Sequence, residues 1–462
     1  MFVGITNSPR DYAWGSTTAI AGLLGYVPSG AAEAELWLGA HPGSPSVVTD
    51  PEQIGGHATL LDWIAAAPAQ ALGAVLGASV SPASPVPPRL PFLLKILAAA
   101  GPLSLQAHPS SERARIGFGL ENAAGIPRGA ADRNYRDPFH KPEVIFALSD
   151  TFEALCGFRE LAEIRGILGE LRALDVASEN PQPGALDALE RRLLGPDALR
   201  DSVDWLLRDG RGGDSGEVAW LVERVVALAL SAAGLAESGA ILDYPRELAT
   251  VRDLARAYPG DPGIVISLLT NRVSLRRGEV LYLPAGNIHA YLSGLGVELM
   301  AASDNVLRGG LSPKHIDVDE LLEVLDFTPL PVPYLPPVVS SPGVSEYRPD
   351  VDDFALVHIA AEARSAAGAG TSGAGAGAGV AVAVAVAVAV AAAAGSASLA
   401  EVPMRQFTLT GPAIAICTAG GFLVAGAGSS VALKRGESVY ITPDEGCLTF
   451  AGVGEVFLAT TP

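Results

Sequence analysis

A block with helical periodicity, residues 156–259, lies between segments of short apolar runs, and this arrangement constrains the fold more than any other feature. In RELAEIRGILGELRALD and GEVAWLVERVVALALSAAG, apolar residues recur at the spacing that places them on one face of a helix. Asp or Pro stands near the start of several of these stretches, as is common in first helical turns. We therefore predict an all-helical domain inserted into a chain that is otherwise built from strands.

The segments on either side of this block are typical of β-structure. AELWLG, LPFLLKILAAAGPLSLQAHP and HKPEVIFALSD precede it, and GIVISLLTNRVSLRRGEVLYLPAGNIHAYL follows, with Gly or Pro between the apolar runs. Regular alternation of strands and helices is absent, and no dinucleotide-binding or P-loop glycine motif opens a helix after a strand. The predicted fold class is mainly β with an inserted α domain, the strands forming jelly-roll barrels. A short helix in SPKHIDVDELLEVLDF is predicted to begin with Ser312 before Pro313.

A second β-barrel is predicted at the C-terminal end, because the sequence there echoes an earlier stretch. RRGEVLYLPAG (Arg276 to Gly286) resembles KRGESVYITPDEG (Lys434 to Gly446) in its basic residue, Gly, Glu, apolar run and Pro-to-Gly turn. An Ala/Gly/Val-rich insertion at residues 365–400 interrupts this second barrel. The predicted domains are residues 1–155 with 260–330 for the catalytic barrel, 156–259 for the helical insertion and 331–462 for the C-terminal barrel.

The charge balance excludes one class of partner. Lys and Arg number 31 against 50 Asp and Glu, which gives a formal net charge of −19. A protein that binds DNA or RNA needs clustered basic residues, so a nucleic acid is not expected as the main partner. A small anion remains compatible with this composition, because one local pocket can be basic on an acidic protein.

The cysteine spacing, the N-terminal residues and the longest apolar run together predict a cytoplasmic protein. Cys156, Cys417 and Cys447 show no CxxC pairing, and the N-terminal residues lack the basic and apolar regions of a signal peptide. The apolar run Gly379 to Gly395 is shorter than the about 20 residues that a membrane span needs, and it alternates Val and Ala. We interpret it as a low-complexity insertion, and we expect no membrane partner and a monomer or weak oligomer.

Four of the seven histidines lie in unremarkable contexts. His41 and His57 stand in turn-rich stretches without an acidic or second histidine partner nearby, and His315 follows Lys314 at a predicted helix start. His358 lies in a strand near the insertion. We interpret all four as structural or solvent-facing residues.

The remaining histidines, His108, His140 and His289, lie in polar patterns within apolar stretches. LSLQAHPS places Gln106 and His108 on the same face of a strand, and LYLPAGNIHAYL places His289 directly after a turn. With Glu143 of HKPE, the residues Gln106, His108 and His289 form a candidate ligand set for Zn²⁺ or a similar divalent ion. Spacing alone leaves open the alternative that these are hydrogen-bonded core groups.

Several motifs of this chain closely resemble, in the right order, those of the type I mannose-6-phosphate isomerase (phosphomannose isomerase) family. The similarity covers most of residues 1–330, including the helical interruption, whereas the Ala/Gly/Val insertion departs from what the family leads us to expect. The matching stretches are YAWGS, AELWLGAHPGSPS, LPFLLKILAAAGPLSLQAHPS, NYRDPFHKPEVIFALSDTFEALCGFR and LYLPAGNIHAYLSGLGVELMAASDNVLRGGLSPKHIDVDELLEVLDF.

The resemblance implies a cupin-type catalytic barrel, one zinc ion per chain, and interconversion of mannose 6-phosphate and fructose 6-phosphate, with a small sugar phosphate as the partner. The implied zinc ligands are Gln106, His108, Glu143 and His289. The implied substrate-binding residues are Lys95, Tyr291, Lys314 and Arg308, and the implied catalytic residues are Arg308, His140, Lys141, Asp304 and Glu298.

Such an isomerisation moves a proton between C2 and C1 of the sugar through a cis-enediol, so it needs a base and a group that stabilises the carbonyl oxygen. We expect His140 and Lys141 to handle the proton and Arg308 to stabilise the enediolate, while Glu298 and Asp304 remain open as carboxylate bases. For Lys95 and Lys314, the alternative to substrate binding is that each is an ordinary solvated charge.

Two other functions compete with the isomerase. A non-catalytic cupin that binds a metal or a sugar would have no need to keep Arg308, His140 and Lys141 beside a full ligand set. A cupin metallo-oxygenase would prefer Fe(II) and a His-rich facial set, for which Gln106 is an unusual ligand.

Overall fold

The computed structural model describes residues 1–78, 87–211, 215–362 and 402–462. These residues fall into two compact units. The first unit comprises residues 1–98, 297–302 and 335–462, and the second comprises 99–296 and 303–334. The predicted insertion at residues 365–400, including Gly379 to Gly395, lies outside the described residues.

The described residues form strands and helices in the order that follows. The strands are β1 (Phe2–Thr6), β2 (Glu35–Leu38), β3 (Val47–Val48), β4 (Phe92–Ala99), β5 (Leu105–Ala107), β6 (Glu143–Ala147), β7 (Thr151–Phe158), β8 (Thr270–Arg276), β9 (Val280–Leu283), β10 (His289–Ala301), β11 (Leu307–Gly310), β12 (Val338–Ser341), β13 (Val344–Tyr347), β14 (Ala355–Ala361), β15 (Met404–Thr408), β16 (Ala413–Ala425), β17 (Ser430–Lys434), β18 (Ser438–Ile441) and β19 (Cys447–Thr460). The α-helices are α1 (Ala19–Leu24), α2 (Leu60–Ala66), α3 (Pro68–Ala78), α4 (Ser111–Ala123), α5 (Leu161–Ala177), α6 (Pro183–Arg192), α7 (Ala198–Asp209), α8 (Glu217–Glu237), α9 (Pro245–Ala257), α10 (Gly263–Leu269) and α11 (Val318–Val324). Short 3-10 helices lie at Pro51–Ile54 and Pro443–Glu445.

The first unit is built on a ten-stranded antiparallel sheet with the order β12-β13-β14-β19-β16-β18-β1-β3, to which β15 adds on β19 and β17 on β16. Its apolar core includes Val344, Ile359, Phe422 and Phe450, all buried. Alternate residues of the strands supply this core, as expected for a sheet with one buried face. In the same unit β2 pairs with β4, which sets Trp37 opposite Lys95.

The second unit contains a group of antiparallel strands that carries most of the predicted site. Strand β5 pairs with β11 on one side and with β10 on the other, β10 also pairs with β7, and β7 pairs with β8. Strand β6 pairs with both β9 and β10. The short strand β5 is therefore held between two partners, which fixes the direction of its side chains.

Helices α5 to α9 form the predicted helical block and pack around one apolar core. Leu171, Leu189, Val203, Leu221 and Leu254 are among its fully buried residues. Helix α8 is long and apolar enough to cross a membrane by length and composition. Its buried residues belong to the same core, so packing within the block accounts for its apolar character.

The predicted fold class, mainly β with an inserted helical part, is confirmed. Within each unit, the pairings among the described strands do not form a closed ring. The predicted closure into jelly-roll barrels is therefore not found among the described strands, whereas the three predicted domain boundaries stay predictions.

The prediction that GIVISLL forms a strand is wrong, because residues Gly263–Leu269 form helix α10. Every residue of this helix is buried, so the sequence shows no period that distinguishes a helix from a strand. Asp261 accepts a hydrogen bond from the backbone N–H of Gly263 at 2.7 Å and thereby satisfies a free donor at the helix start.

The predicted start of helix α11 is also wrong. Asp317, and not Ser312, is the N-cap residue: its side chain accepts from the backbone N–H of Glu320 at 3.0 Å. The pattern Asp-x-x-Glu at this point is a capping signal that outweighs the Ser-Pro pair five residues earlier.

The internal echo in the sequence corresponds to one repeated turn. In the first copy the Glu279 side chain accepts from the backbone N–H of Arg276 at 2.8 Å, and in the second Glu437 accepts from Lys434 at 2.8 Å. The glycine before each glutamate has a positive φ, +89° at position 278 and +87° at 436, which a residue with a Cβ adopts only with strain. The shared Arg/Lys-Arg-Gly-Glu pattern is therefore explained by this turn in each unit.

Candidate metal centre

One rung of the second unit's sheet brings three predicted site residues side by side. His289 at the start of β10 is the register partner of Gln106 in β5, and Gln106 is in turn the partner of Arg308 in β11. Directly opposed residues of antiparallel strands have Cβ atoms about 5 Å apart. These three side chains, distant in sequence, are thus neighbours on the sheet.

The cluster of His108, Glu143 and His289 is compact and buried. One ligand atom from each residue lies within 4.8 Å of those of the other two. His108 Nε2 is 3.2 Å from Glu143 Oε1, His289 Nε2 is 3.3 Å from Glu143 Oε2, and all three side chains are 1% exposed. Gln106 adjoins the cluster, its amide nitrogen 3.2 Å from His289 Nε2.

Backbone carbonyls fix the ring orientation of both histidines. His108 Nδ1 lies 2.8 Å from the carbonyl oxygen of Asn305, and His289 Nδ1 lies 3.0 Å from that of Asn287. A carbonyl oxygen only accepts, so each Nδ1 carries the hydrogen and each Nε2 presents a lone pair to the cluster. This arrangement is typical of histidines that ligate a metal through Nε2.

Two atoms of the cluster are buried without a hydrogen bond of good geometry to any described residue: His108 Nε2 and Glu143 Oε2. Buried polar atoms are rarely left in this state unless another group satisfies them. Two imidazole nitrogens and a carboxylate form a donor set that suits a divalent ion of the zinc type. The residues present therefore fit a metal ion.

The charges around Glu143 favour its ionised form. Burial raises the pKa of this carboxyl, but the ammonium of Lys141, 2.8 Å from Oε1, and the contacts with His108 and His289 together outweigh burial and hold the pKa well below its ordinary value. The pKa of His108 is lowered to about 4, chiefly by burial and then by the charge of Lys141. The cluster thus offers an anionic carboxylate and a neutral imidazole, the forms that bind metals.

Three cations of the second unit, Arg136, Arg308 and Lys314, act on one another. The pKa of Arg308 is lowered by burial and by the charge of Arg136, and that of Lys314 by burial and by the charges of Arg308 and Arg136. None of the three forms an ion pair with a carboxylate in the described part of the chain. Mutual repulsion without a compensating carboxylate makes this group, here named the cation cluster, a place where an anion would be stabilised.

The other predicted residues of the second unit have varied surroundings. His140 is partly buried and Asp304 is exposed. The backbone N–H of Asp304 donates to Asp137 at 2.8 Å. Tyr291 is buried against Phe152, with ring centroids 5.2 Å apart, and its ring is 6.2 Å from that of His289.

The predicted residues Lys95 and Glu298 belong to the first unit and form an ion pair there. Lys95 Nζ is 2.8 Å from Glu298 Oε2 and 3.7 Å from Glu35 Oε1. It also lies over the Trp37 ring, 5.1 Å from the centroid. Lys95 is therefore buried and paired, so the alternative of an ordinary solvated charge is wrong for it.

The four histidines set aside in the sequence have other contacts or are exposed to a varying degree. His41 Nδ1 accepts from the backbone of Gly43 at 3.1 Å, and His315 is exposed. His358 in β14 lies 3.0 Å from Glu455. His57 is partly buried beside the start of α2.

Sequence reasoning missed two residues of this region, Arg136 and Asn305. Both lie within stretches that carried the family resemblance, NYRDPFHKPE and AASDNVLRGG. Their proximity to His140 and Asp304 in the sequence was the available signal, but an arginine and an asparagine in loops have no pattern that marks them as functional.

The β-rich fold with an inserted helical block and the buried His-Glu-His cluster define a protein whose site suits a metal ion. Comparison with known proteins gives the family. Residues 2–161 match the family model of the phosphomannose isomerase type I catalytic domain.

Curated relatives agree with that match. The mannose-6-phosphate isomerase of Salmonella typhimurium is 39% identical over 354 residues, covering 76% of this chain and 82% of that protein. The Escherichia coli enzyme of that name gives the same identity and coverage, and the rat enzyme is 33% identical over 374 residues, covering 76% and 80%.

Solved structures extend the similarity to the whole chain. A crystal structure of a Salmonella typhimurium phosphomannose isomerase mutant is 31% identical with a TM-score of 0.77, covering 100% of this chain and 99% of that one. A zinc-bound mannose 6-phosphate isomerase has the same identity and coverage and a TM-score of 0.76. The chain belongs to the type I phosphomannose isomerase family and is an isomerase.

Proposed function

We propose that this chain is a zinc-dependent isomerase that interconverts mannose 6-phosphate and fructose 6-phosphate by proton transfer through a cis-enediol. The observation that carries the proposal is the buried cluster of His108, Glu143 and His289, whose two Nε2 atoms and one carboxylate point at one another. Membership of the family and the presence of the cation cluster in the same unit support the substrate class.

In this proposal His108, Glu143, His289 and Gln106 hold the zinc ion. Gln106 presents its amide to the cluster, and rotation of that amide exchanges its nitrogen for its oxygen, the atom that ligates a cation. When bound, zinc polarises a sugar oxygen as a Lewis acid. Lys141 keeps Glu143 ionised and so keeps the carboxylate ready for the ion.

The cation cluster is proposed to bind the phosphate group. A phosphate dianion would relieve the repulsion among Arg136, Arg308 and Lys314, which adds to the effect of burial in lowering the pKa values of Arg308 and Lys314. Arginine pairs with phosphate through two parallel hydrogen bonds, whereas lysine acts as a point charge. The overall negative charge of the protein makes this positive group a specific feature of the site rather than a general one.

Arg308 is proposed to serve the reacting oxygen as well, because its register partner is Gln106 of the ligand set. A guanidinium next to the developing enediolate would stabilise negative charge that is absent from the ground state. The same side chain can therefore link phosphate binding and catalysis.

For the proton we propose His140 and Lys141, with Asp304 as a carboxylate alternative. The ammonium of Lys141 is held by Glu143, so Lys141 would have to leave that contact before it could handle the proton. Glu298 forms an ion pair with Lys95 in the first unit. Tyr291 and Lys95 remain proposed substrate-binding residues.

The remaining expectations are part of this proposal. They are a cytoplasmic location, a monomer or weak oligomer, and three domains at residues 1–155 with 260–330, 156–259 and 331–462. The proposed substrate is a small charged sugar that dissolves in water, and this agrees with the expected cytoplasmic location.

A coupled assay tests the proposal directly. Formation of fructose 6-phosphate from mannose 6-phosphate is followed before chelation, after chelation, and after zinc is added back. We expect turnover that is lost with the metal and restored by zinc. A well-folded sample without chelator-sensitive turnover would exclude the isomerase and favour the non-catalytic sugar- or metal-binding alternative.

A further inference from the structure

Asn305 is fully buried in the loop between β10 and β11, and its side chain holds the segment that precedes HKPE. Its Oδ1 accepts from the backbone N–H groups of Arg136 at 2.8 Å and Asp137 at 3.3 Å. Its Nδ2 donates to the carbonyl oxygens of Asp137 and Phe139, each at 2.8 Å. One amide thus anchors residues 136–139 through four backbone groups.

The main chain of the same residue holds the metal cluster. The carbonyl oxygen of Asn305 accepts the hydrogen bond from His108 Nδ1 at 2.8 Å, which sets the tautomer and orientation of that ring. Side chain and main chain of one buried residue therefore connect His108 to the segment that carries Arg136.

Neighbouring residues make this connection rigid. The hydroxyl of Ser303 donates to Asp137 Oδ1 at 2.8 Å, and the backbone N–H of Asp304 donates to Asp137 Oδ2 at 2.8 Å. Asp137 in turn accepts from the backbone N–H of Phe139 at 3.0 Å. Arg136 is exposed, so packing does not position its side chain. The hydrogen bond to its backbone N–H determines the point from which that side chain extends.

We propose that Asn305 is a positioning residue that sets the distance between the phosphate-binding Arg136 and the metal ligand His108. This inference rests on the proposed function for the identity of the anion. A sugar phosphate has a fixed length between its phosphate and its reacting carbons, so a site that keeps these two residues in register selects substrates of that length.

The test is the affinity of the zinc-loaded protein for inorganic phosphate, measured by calorimetry, together with the KM for mannose 6-phosphate. Asn305→Ala removes the four hydrogen bonds to backbone groups, and a fifth to Asp137 Oδ1 at 3.3 Å, but keeps the main-chain carbonyl that His108 uses. We expect the Kd for phosphate and the KM to rise about fivefold, the effect of losing about 1 kcal/mol of net hydrogen bonding. Zinc content should stay at the wild-type level, since the contact to His108 remains.

A double-mutant cycle separates positioning from a merely structural role. If Asn305 acts through Arg136, then Asn305→Ala should change the phosphate Kd by less than about twofold in an Arg136→Ala background. Equal effects in both backgrounds, or an unchanged Kd in a folded Asn305→Ala protein, would overturn the inference.

Two further variants protect the test against a folding defect. Ser303→Ala removes only the hydroxyl that holds Asp137, and we expect it to raise the phosphate Kd in the same direction by about twofold. Asn7→Ala is the matched control in the first unit, since Asn7 also donates to two backbone carbonyls, those of Trp37 and Ser44, each at 3.0 Å. It should leave the phosphate Kd unchanged.

The outcomes also separate this inference from the proposed function. A wild-type protein that binds phosphate with the expected Asn305 and Arg136 coupling but does not convert mannose 6-phosphate would exclude the isomerase alone. Normal wild-type turnover with a phosphate Kd indifferent to Asn305→Ala would exclude the positioning role alone.

Discussion

His108 Nε2 lies 3.2 Å from Glu143 Oε1, and both side chains are almost fully removed from solvent. The imidazole is neutral, because burial lowers its pKa to about 4, while the carboxylate is ionised. A neutral imidazole that carries its hydrogen on Nδ1 cannot donate to Glu143 from Nε2, so two lone pairs face each other. A cation between them would relieve this conflict, and the first prediction follows from it.

Removing a ligand from the proposed zinc site should lower the amount of bound zinc. We expect His289→Ala to abolish stoichiometric zinc and Gln106→Ala to weaken zinc binding by about tenfold, the range seen when a contact of a metal site is lost. Elemental analysis after dialysis, and competition with a chromogenic chelator, measure content and affinity. His358→Ala, a histidine beside Glu455 in the first unit, should keep the wild-type content. Full zinc occupancy in both site variants would refute the ligand assignment.

Phosphate binding should weaken at high pH because of Lys314. Burial, Arg308 and Arg136 lower the pKa of this lysine from its ordinary value of 10.5, so it loses its charge at a lower pH than a free lysine. Its contribution to anion binding is present below that lowered pKa and is lost as the pH rises through it. Lys314→Arg keeps a charge throughout this range and should show a flatter dependence. Calorimetry with inorganic phosphate over a series of alkaline pH values measures both proteins, and parallel curves would contradict the prediction.

One thiol of the native chain should react quickly with a thiol reagent at pH 8. Cys447 is exposed, whereas Cys156 and Cys417 are buried, and burial raises the pKa of each of these two to about 12. The thiolate is the reactive form, so both buried groups combine poor access with a very small reactive fraction. Titration with a disulfide reagent should give one fast equivalent in the native protein and three after unfolding. A second fast equivalent in the native state would show that one buried cysteine is accessible.

The buried ion pair between Asp175 and Arg224 should stabilise the helical block. Asp175 is fully buried and also accepts from the backbone N–H of Gln182, and Arg224 is 9% exposed. Asp175→Ala leaves the guanidinium without its partner, and we expect the free energy of unfolding to fall by about 3–5 kcal/mol. Asp187→Ala removes one of the two carboxylate partners of Arg172, Asp187 and Glu190, in a largely exposed contact, and it should cost less than about 1 kcal/mol. Urea unfolding of the two variants compares them, and equal losses would contradict the assignment of a buried pair.

The sequence by itself determined the class of the fold and the family. Helical periodicity in 156–259, turn-punctuated apolar runs and the order of several motifs are local properties, and local properties are what a single sequence displays. It also named Gln106, His108, Glu143 and His289 as a candidate set, because their motifs are polar within apolar stretches. The prediction of a strand at Gly263–Leu269 failed, because a fully buried run shows no hydrophobic periodicity that separates a helix from a strand.

Only the tertiary structure decided how these residues meet. The pairing of β5 with β10 and β11 places Gln106 between His289 and Arg308, although 183 residues separate Gln106 from His289. The backbone carbonyls that fix the two imidazoles, and the hold of Asn305 on Arg136, depend on the same long-range pairing. No local pattern encodes such contacts. Every residue has a backbone carbonyl, so the residue type does not show which carbonyl will accept a given hydrogen bond, and the position of each carbonyl depends on the packed fold.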